Sequence, residues 1–287
     1  MLRQDEIVRD LSGHSVVEML YSRKNTRSDP FTRTMFTHPA IFMVEYSLAQ
    51  SLIESGVVPD MTLGCSLGSL AAATVSECVG LEDALTAVVL QASAFESSCA
   101  PGGMIAIIAD PNLFLEGFLC EFSELAGVNF SSHFVVSGPQ MHLNEIENAL
   151  RARNIVHQRL PVSFAFHSRW IDEARGTIET IMRSLHYGAA RLPMMCCAEV
   201  QFLCALPAGY FWRIARNAIR FRDAVLRLEQ AGSYRYIDVG PAGTLATFLN
   251  YGLSPTSSST IHSVLTPYGR DIENLASLLA SGRRGVE

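Results

Sequence analysis

Short apolar strands alternating with longer helical segments predict an α/β fold, and a stretch from Gly103 to Pro161 with its own internal order predicts a small subdomain set into a larger one. Length agrees. A chain of 287 residues, 48% of them hydrophobic, buries roughly three quarters of its unfolded surface and suits one or two domains.

The elements follow in order. "HPAIFMVEYSLAQSLIESG" reads as a helix from Pro39 to Glu54 closed by Gly56. "DMTLG" is a short apolar strand, and "LGSLAAATVSECVG" is rich in small, helix-compatible residues, so the serine between them sits on a strand-to-helix turn. A helix then runs from Leu81 to Cys99, and Gly102 and Gly103 mark a boundary. Beyond it, "GMIAIIA" reads as a strand, "PNLFLEGFLCEF" as a helix, and "GVNFS" and "HFVVSG" as two strands. "MHLNEIENALRAR" is helical, since Leu143, Ile146 and Leu150 recur at helical spacing, and "IVHQRLPV" is a last strand. This βαββαβ order is ferredoxin-like. After Pro161 come helices around 168–185 and 211–230, a strand "YRYIDVG", and a helix from Gly243. The predicted division is 1–102 plus 166–287 for the large domain and 103–165 for the small one, with a site where the two meet.

Charge and composition narrow the functions. A formal net charge of -6 argues against a duplex nucleic-acid binder, which needs a basic face to displace counterions. The opening "MLRQDEIVRD" carries no apolar leader, and no run of 18 apolar residues occurs, so no membrane partner is expected and the expected location is cytoplasmic. Seven cysteines (65, 78, 99, 120, 196, 197 and 204) lack paired CxxC spacing. Reduced thiols are expected, with neither a disulfide framework nor a metal site.

Chemistry centres on "TLGCSLGSL", in which Ser66 stands between Gly64 and Gly68. The glycines permit a sharp turn that exposes Oγ, and the following helix offers N–H groups to an oxyanion. A tight structural connection would use the same residues, and an alcohol needs a base before it can attack. Eight histidines are available: 14, 38, 133, 142, 157, 167, 186 and 262. Most read as surface or core residues. His167, in "LPVSFAFHSRWID", follows the last strand of the small subdomain, where the chain re-enters the large one.

The ordered set "FTHPA", "GCSLG", "GGMIAI", "NFSSHFVVSGP", "LPVSFAFHS", "FW" and "DVGPAGTL" resembles the malonyl-CoA:acyl-carrier-protein transacylase family. In wording it is similar to the discrete acyltransferase-like proteins of trans-acyltransferase polyketide synthases, in particular their acyl hydrolase branch. The resemblance spans nearly the whole chain and implies an α/β hydrolase-like domain carrying a ferredoxin-like subdomain. It further implies that Ser66 is the nucleophile, His167 the general base and acid, and Leu67 the donor of one oxyanion N–H. Ile214 matches the position whose main-chain carbonyl orients the histidine. Gln91, Phe164, Phe166, Met104, Asn129 and Ile214 are expected at the substrate. The implied partner is an acyl carrier protein whose own phosphopantetheine arm brings the thioester, with no further cofactor.

Three departures shape the expected activity. Malonyl-transferring members hold the substrate carboxylate with an arginine where this chain has Gln91, and a carboxamide cannot form that bidentate, charge-assisted pair. Gln91 resembles the acyl hydrolase branch, although a glutamine without a substrate role fits the same helix. Family members also open with a strand and a "GQGSQ"-like loop that supplies a second oxyanion N–H, and nothing like it precedes "DPFTRTMFTHPA". Cys65 replaces the usual histidine beside the nucleophile; a thiol nucleophile there is disfavoured, because neighbouring side chains on such a turn point apart. The leading expectation is a serine hydrolase of acyl-carrier-protein thioesters. An acyltransferase for a neutral acyl group and a non-catalytic carrier-binding component are the alternatives. If "FWRIARNAIRFRDAVLR" formed one helix, Arg213, Arg216 and Arg220 would share an arc with Arg227 that suits an acidic carrier protein, or simply a solvated face.

Overall fold

The computed structural model describes residues 1–22 and 31–282. Helix α1 (Leu2–Ser12) ends at Gly13, whose left-handed φ of 74° returns its N–H to the Arg9 carbonyl. Helix α2 (Val16–Leu20) starts at Ser15, whose side chain accepts the Glu18 N–H. Helix α3 (Thr34–Glu54) begins before the expected Pro39 and runs through it. The extra turn is anchored from outside the helix: Glu96 Oε1 accepts the Met35 N–H at 2.8 Å. Strand β1 (Thr62–Gly64) leads into α4 (Gly68–Val75), and α5 (Leu81–Ser98) follows. Helices α3, α4 and α5 build the main core around Phe42, Leu85, Val88 and Phe95.

The small subdomain has the expected order: β2 (Gly102–Ile107), α6 (Gly117–Cys120), β3 (Glu124–Phe130), β4 (His133–Pro139), α7 (Gln140–Ala152) and β5 (His157–Arg159). Its antiparallel sheet, in order β3-β4-β2-β5, lays Ile105, Ile107, Phe134 and Val136 against Leu143, Ile146 and Leu150 of α7. The first expected helix is broken. A 3-10 turn over Pro111–Leu115 and the short α6 are separated by Glu116, which is extended.

The chain continues through α8 (Arg175–Arg183), β6 (Met194–Cys196), β7 (Gln201–Leu203), α9 (Tyr210–Arg216), α10 (Phe221–Ala231), β8 (Arg235–Asp238), α11 (Thr244–Gly252), β9 (Thr260–Ser263) and α12 (Asp271–Gly282). The single helix expected over 211–230 is two. Asn217 turns extended at the end of α9, and Ile219 instead joins the edge of β3. There the Ile219 N–H donates to the Ala126 carbonyl and the Val128 N–H to the Ile219 carbonyl, both at 2.8 Å. Gly127 permits this approach, since a Cβ on it would lie 3.1 Å from the Ile219 Cβ.

In the large domain the described strands form two groups, β1-β6-β7 and β8-β9. β1 is parallel to β6, and β8 is parallel to β9. Residues of β1 and β8 line a cavity of about 530 Å³ that Glu45 of α3 also lines. Glu45 Oε2 is buried without a hydrogen-bond partner. Burial, reinforced by the nearby Asp238 charge, pushes its carboxyl up to about 8 from an ordinary 4.5.

A carboxyl that ionises less readily folded than unfolded erodes stability as pH rises between those two values. Unfolding free energy should therefore fall between pH 5 and pH 8. At pH 7 this group alone removes on the order of 3 kcal/mol, and Glu45→Gln should flatten the slope. Equal slopes for the two proteins in urea titrations would show that Glu45 ionises normally.

Candidate active site

The turn after β1 is built around a steric requirement. A Cβ on Gly64 would lie 2.4 Å from the Ser69 Cα, so only glycine lets α4 start so close to the strand. Ser66 then takes a left-handed φ of 53°, and His167 one of 60°. Both are among only five non-glycine residues with positive φ among the described residues. Backbone strain of this kind collects where a side chain must be aimed.

The aim is mutual. Ser66 Oγ lies 2.8 Å from His167 Nε2. On the other side of the ring, Nδ1 lies 2.9 Å from the Asn217 carbonyl, which can only accept; Nδ1 therefore carries the proton, and Nε2 presents its lone pair to the serine. The His167 backbone N–H is fixed to the Ala215 carbonyl at 3.0 Å. Burial lowers the imidazole to about 4, against the opposing effect of the Asn217 hydrogen bond, so the ring is neutral and able to take a proton at pH 7. Leu67 is the N-cap of α4, and the N–H groups of Gly68, Ser69 and Leu70 turn back to the carbonyls of Cys65, Ser66 and Leu67, so the Leu67 N–H is the one of this turn that the resemblance assigns to an oxyanion.

Beside this pair is a cavity of about 50 Å³ that Gln91, His38, Phe95, Phe166 and Ile214 help to line. Of the expected substrate residues, Gln91, Phe166 and Ile214 reach it; the others do not. Phe164 packs into the main core, its ring 6.0 Å from that of Phe166. Met104 is buried with Ala126 and Val135 on the subdomain sheet. Asn129 turns to His133, with Nδ2 3.0 Å from Nδ1. The expected histidine-orienting carbonyl is also corrected: it belongs to Asn217, because the chain leaves α9 there, while Ile214 is one turn back and faces the cavity. Cys65 lines the 530 Å³ cavity rather than the small one, and Ser66 is the group that meets His167.

The arginine arc does not form, because α9 and α10 are separate helices. Each arginine is also paired: Arg213 with Glu199 at 2.5 Å, Arg216 with Asp172 at 2.6 Å, and Arg220 with Asp223 at 2.8 Å. Two neighbours of the pair carry little sequence signal. His38 stands in the "FTHPA" set and is a polar residue in a largely apolar helix segment. The Asn217 carbonyl is main chain and carries no side-chain signal.

A strained serine held against a neutral histidine is an arrangement suited to acyl transfer, and among the described residues the cavity beside it is lined from the large-domain segments, with no residue of 103–165, rather than from both domains as expected. Residues 1–284 match the family described as "Acyl transferase domain", and the chain belongs to that family. It is 40% identical over 276 residues to the polyketide biosynthesis acyltransferase homolog BaeD of Bacillus velezensis, covering 96% of this chain and 85% of that protein. The homolog PksD of Bacillus subtilis is 38% identical over the same spans. Among solved structures, the acyltransferase domain from the second module of the salinomycin polyketide synthase superposes with a TM-score of 0.84 at 28% identity, over 100% of this chain and 68% of that one. The loading acyltransferase of the avermectin synthase shares the fold, with a TM-score of 0.88 at 24% identity over 98% and 90% of the two chains. Among the described residues no helix is long and apolar enough to cross a membrane.

If His167 is the base, kcat/KM for a small thioester should stay flat from pH 8 down to about pH 5 and fall as the ring protonates near pH 4. A loss centred near pH 6.5 would mean an exposed, ordinary histidine controls the rate.

Proposed function

We propose that this protein is a serine hydrolase that releases short, neutral acyl groups from acyl-carrier-protein thioesters in polyketide biosynthesis. One observation carries the reading. Gln91 lines the cavity beside Ser66 at the position where the resemblance implies a carboxylate-binding arginine, and among the described residues no lysine or arginine lines it. The two histidines of the lining are held neutral at pH 7 by burial. A carboxylate would lose its water there and gain no cation, at a cost of several kcal/mol. The cavity, about 50 Å³, has room for a small acyl group.

Each step would use Ser66, His167 and the Leu67 N–H in the roles the resemblance implies. His167 Nε2 takes the Ser66 proton as Oγ attacks the thioester carbonyl, and the Leu67 N–H stabilises the oxyanion. His167 returns the proton to the departing pantetheine thiolate, which leaves an acyl-serine ester. Water then replaces the thiol in the cavity mouth, His167 takes its proton, and collapse of the second tetrahedral intermediate frees the acid and Ser66. Membership of the acyl transferase family supports a second reading, in which a second carrier thiol intercepts the same ester.

Incubation with acetyl- and malonyl-loaded carrier protein, followed by intact mass, separates the outcomes. Free carrier and acetate are expected, with malonyl turnover at least tenfold slower. Acetyl moved to a second carrier would establish transfer, and no change with either substrate would sink both enzyme readings. Ser66→Ala should abolish turnover. Gln91→Arg should raise the malonyl-to-acetyl ratio at least tenfold; an unchanged ratio would show that Gln91 does not face the acyl carboxyl position.

A further inference from the structure

Helix α3 places an unexplained polar group against the acyl cavity. The helix buries Phe36, Phe42 and Met43 in the large domain, and His38 interrupts that apolar series. Its ring packs against Phe166, with centroids 5.5 Å apart, and edge-on to Phe95 at 6.3 Å. It lines the same cavity as Ser66, Gln91 and His167. Its Nδ1 is buried with no hydrogen-bond partner.

Proton transfer does not account for it. His167 already meets Ser66 through Nε2 and the Asn217 carbonyl through Nδ1, so the base and its orienting group are complete. Packing does not account for it either. Between two phenylalanine rings an apolar side chain would fill the space without leaving a buried nitrogen unsatisfied, a loss comparable to a broken hydrogen bond. The remaining use of such a group is to bond to whatever enters the cavity.

We propose that His38 is a specificity-determining residue that, with Gln91, receives an oxygen atom carried by the acyl chain, so that the site prefers short neutral acyl groups bearing a hydroxyl or keto oxygen to their all-carbon isosteres. This rests on the acyl-serine reading above. A neutral imidazole offers one donor and one acceptor, and a carboxamide offers both kinds. The two together satisfy a hydroxyl in either direction or a keto oxygen by donation. A methyl group in the same place leaves both side chains unpaired, and sites built to bond an oxygen discriminate strongly against analogues that lack it. A carboxylate is excluded on other grounds, since neither partner is charged: burial holds the His38 ring at about 4.

Glycolyl and propionyl thioesters of N-acetylcysteamine make the test, because a hydroxyl in one replaces a methyl in the other at equal size. In competition at pH 7, the wild-type protein should favour glycolyl by at least fivefold in kcat/KM. His38→Phe should bring the ratio to within twofold of unity, whatever it does to the absolute rates, and His38→Gln should keep a preference above threefold. A wild-type ratio near unity, or a preference that survives in His38→Phe, overturns the proposal. Binding of the same two thioesters to Ser66→Ala, followed by calorimetry, reads the subsite without turnover. Tighter glycolyl binding alongside an inert wild-type protein would support the subsite while removing the hydrolase reading. Equal or undetectable binding of the two would overturn the subsite.

Discussion

The exit of the chain from α9 at Asn217 is the constraint on which the rest of the site depends. By leaving helical geometry there, the backbone turns the Asn217 carbonyl toward His167 Nδ1 at 2.9 Å. Two residues later, Ile219 joins the edge of β3 through two main-chain hydrogen bonds, and Arg220 donates its N–H to the Cys197 carbonyl as α10 begins. One short segment therefore sets the tautomer of the histidine, ties the small subdomain to the large one, and fixes the start of the next helix. A continuous helix over this stretch would have used those carbonyls and N–H groups internally and left the imidazole without an orienting partner.

A second constraint is electrostatic. Three ionisable side chains near the catalytic turn, His38, His167 and Glu45, are uncharged or largely so at neutral pH, each because burial penalises the charged form. For His167 that neutrality is the condition for accepting a proton. For His38 it removes the charge that would otherwise have attracted a carboxylate into the acyl cavity. On the reading proposed above, the burial that keeps His167 neutral also favours neutral acyl groups over a carboxylate, and Gln91 would add hydrogen bonds without charge.

Parts of this were legible from residues alone. The ferredoxin-like order followed from apolar runs and the helical spacing of Leu143, Ile146 and Leu150, because local patterning and burial coincide in that subdomain. The turn carrying Ser66 was legible from its two glycines, and the placement of His167 from its position after the last small strand. The failures share a cause. The 211–230 segment has continuous helical character, and it breaks because β3 offers Ile219 a competing set of hydrogen bonds. Phe164 stands two residues before the cavity residue Phe166, yet packs into the core, and Met104 and Asn129 lie on the subdomain sheet, from which among the described residues nothing lines the cavity. The arginine arc depended on a single helix, and it vanished with that helix.

The sequence by itself determined the α/β class, the inserted subdomain, the strained turn at Ser66, the histidine at 167 and the absence of an arginine at 91. These are properties of residue type and local order, which the chain carries before it folds. Tertiary structure decided which carbonyl orients His167, which aromatic ring walls the acyl cavity, and that His38 belongs to it. Those relations join α3, α5, α9 and the turn after β1, elements far apart in the chain. Their closeness is set by packing and by main-chain hydrogen bonds that no side-chain pattern encodes.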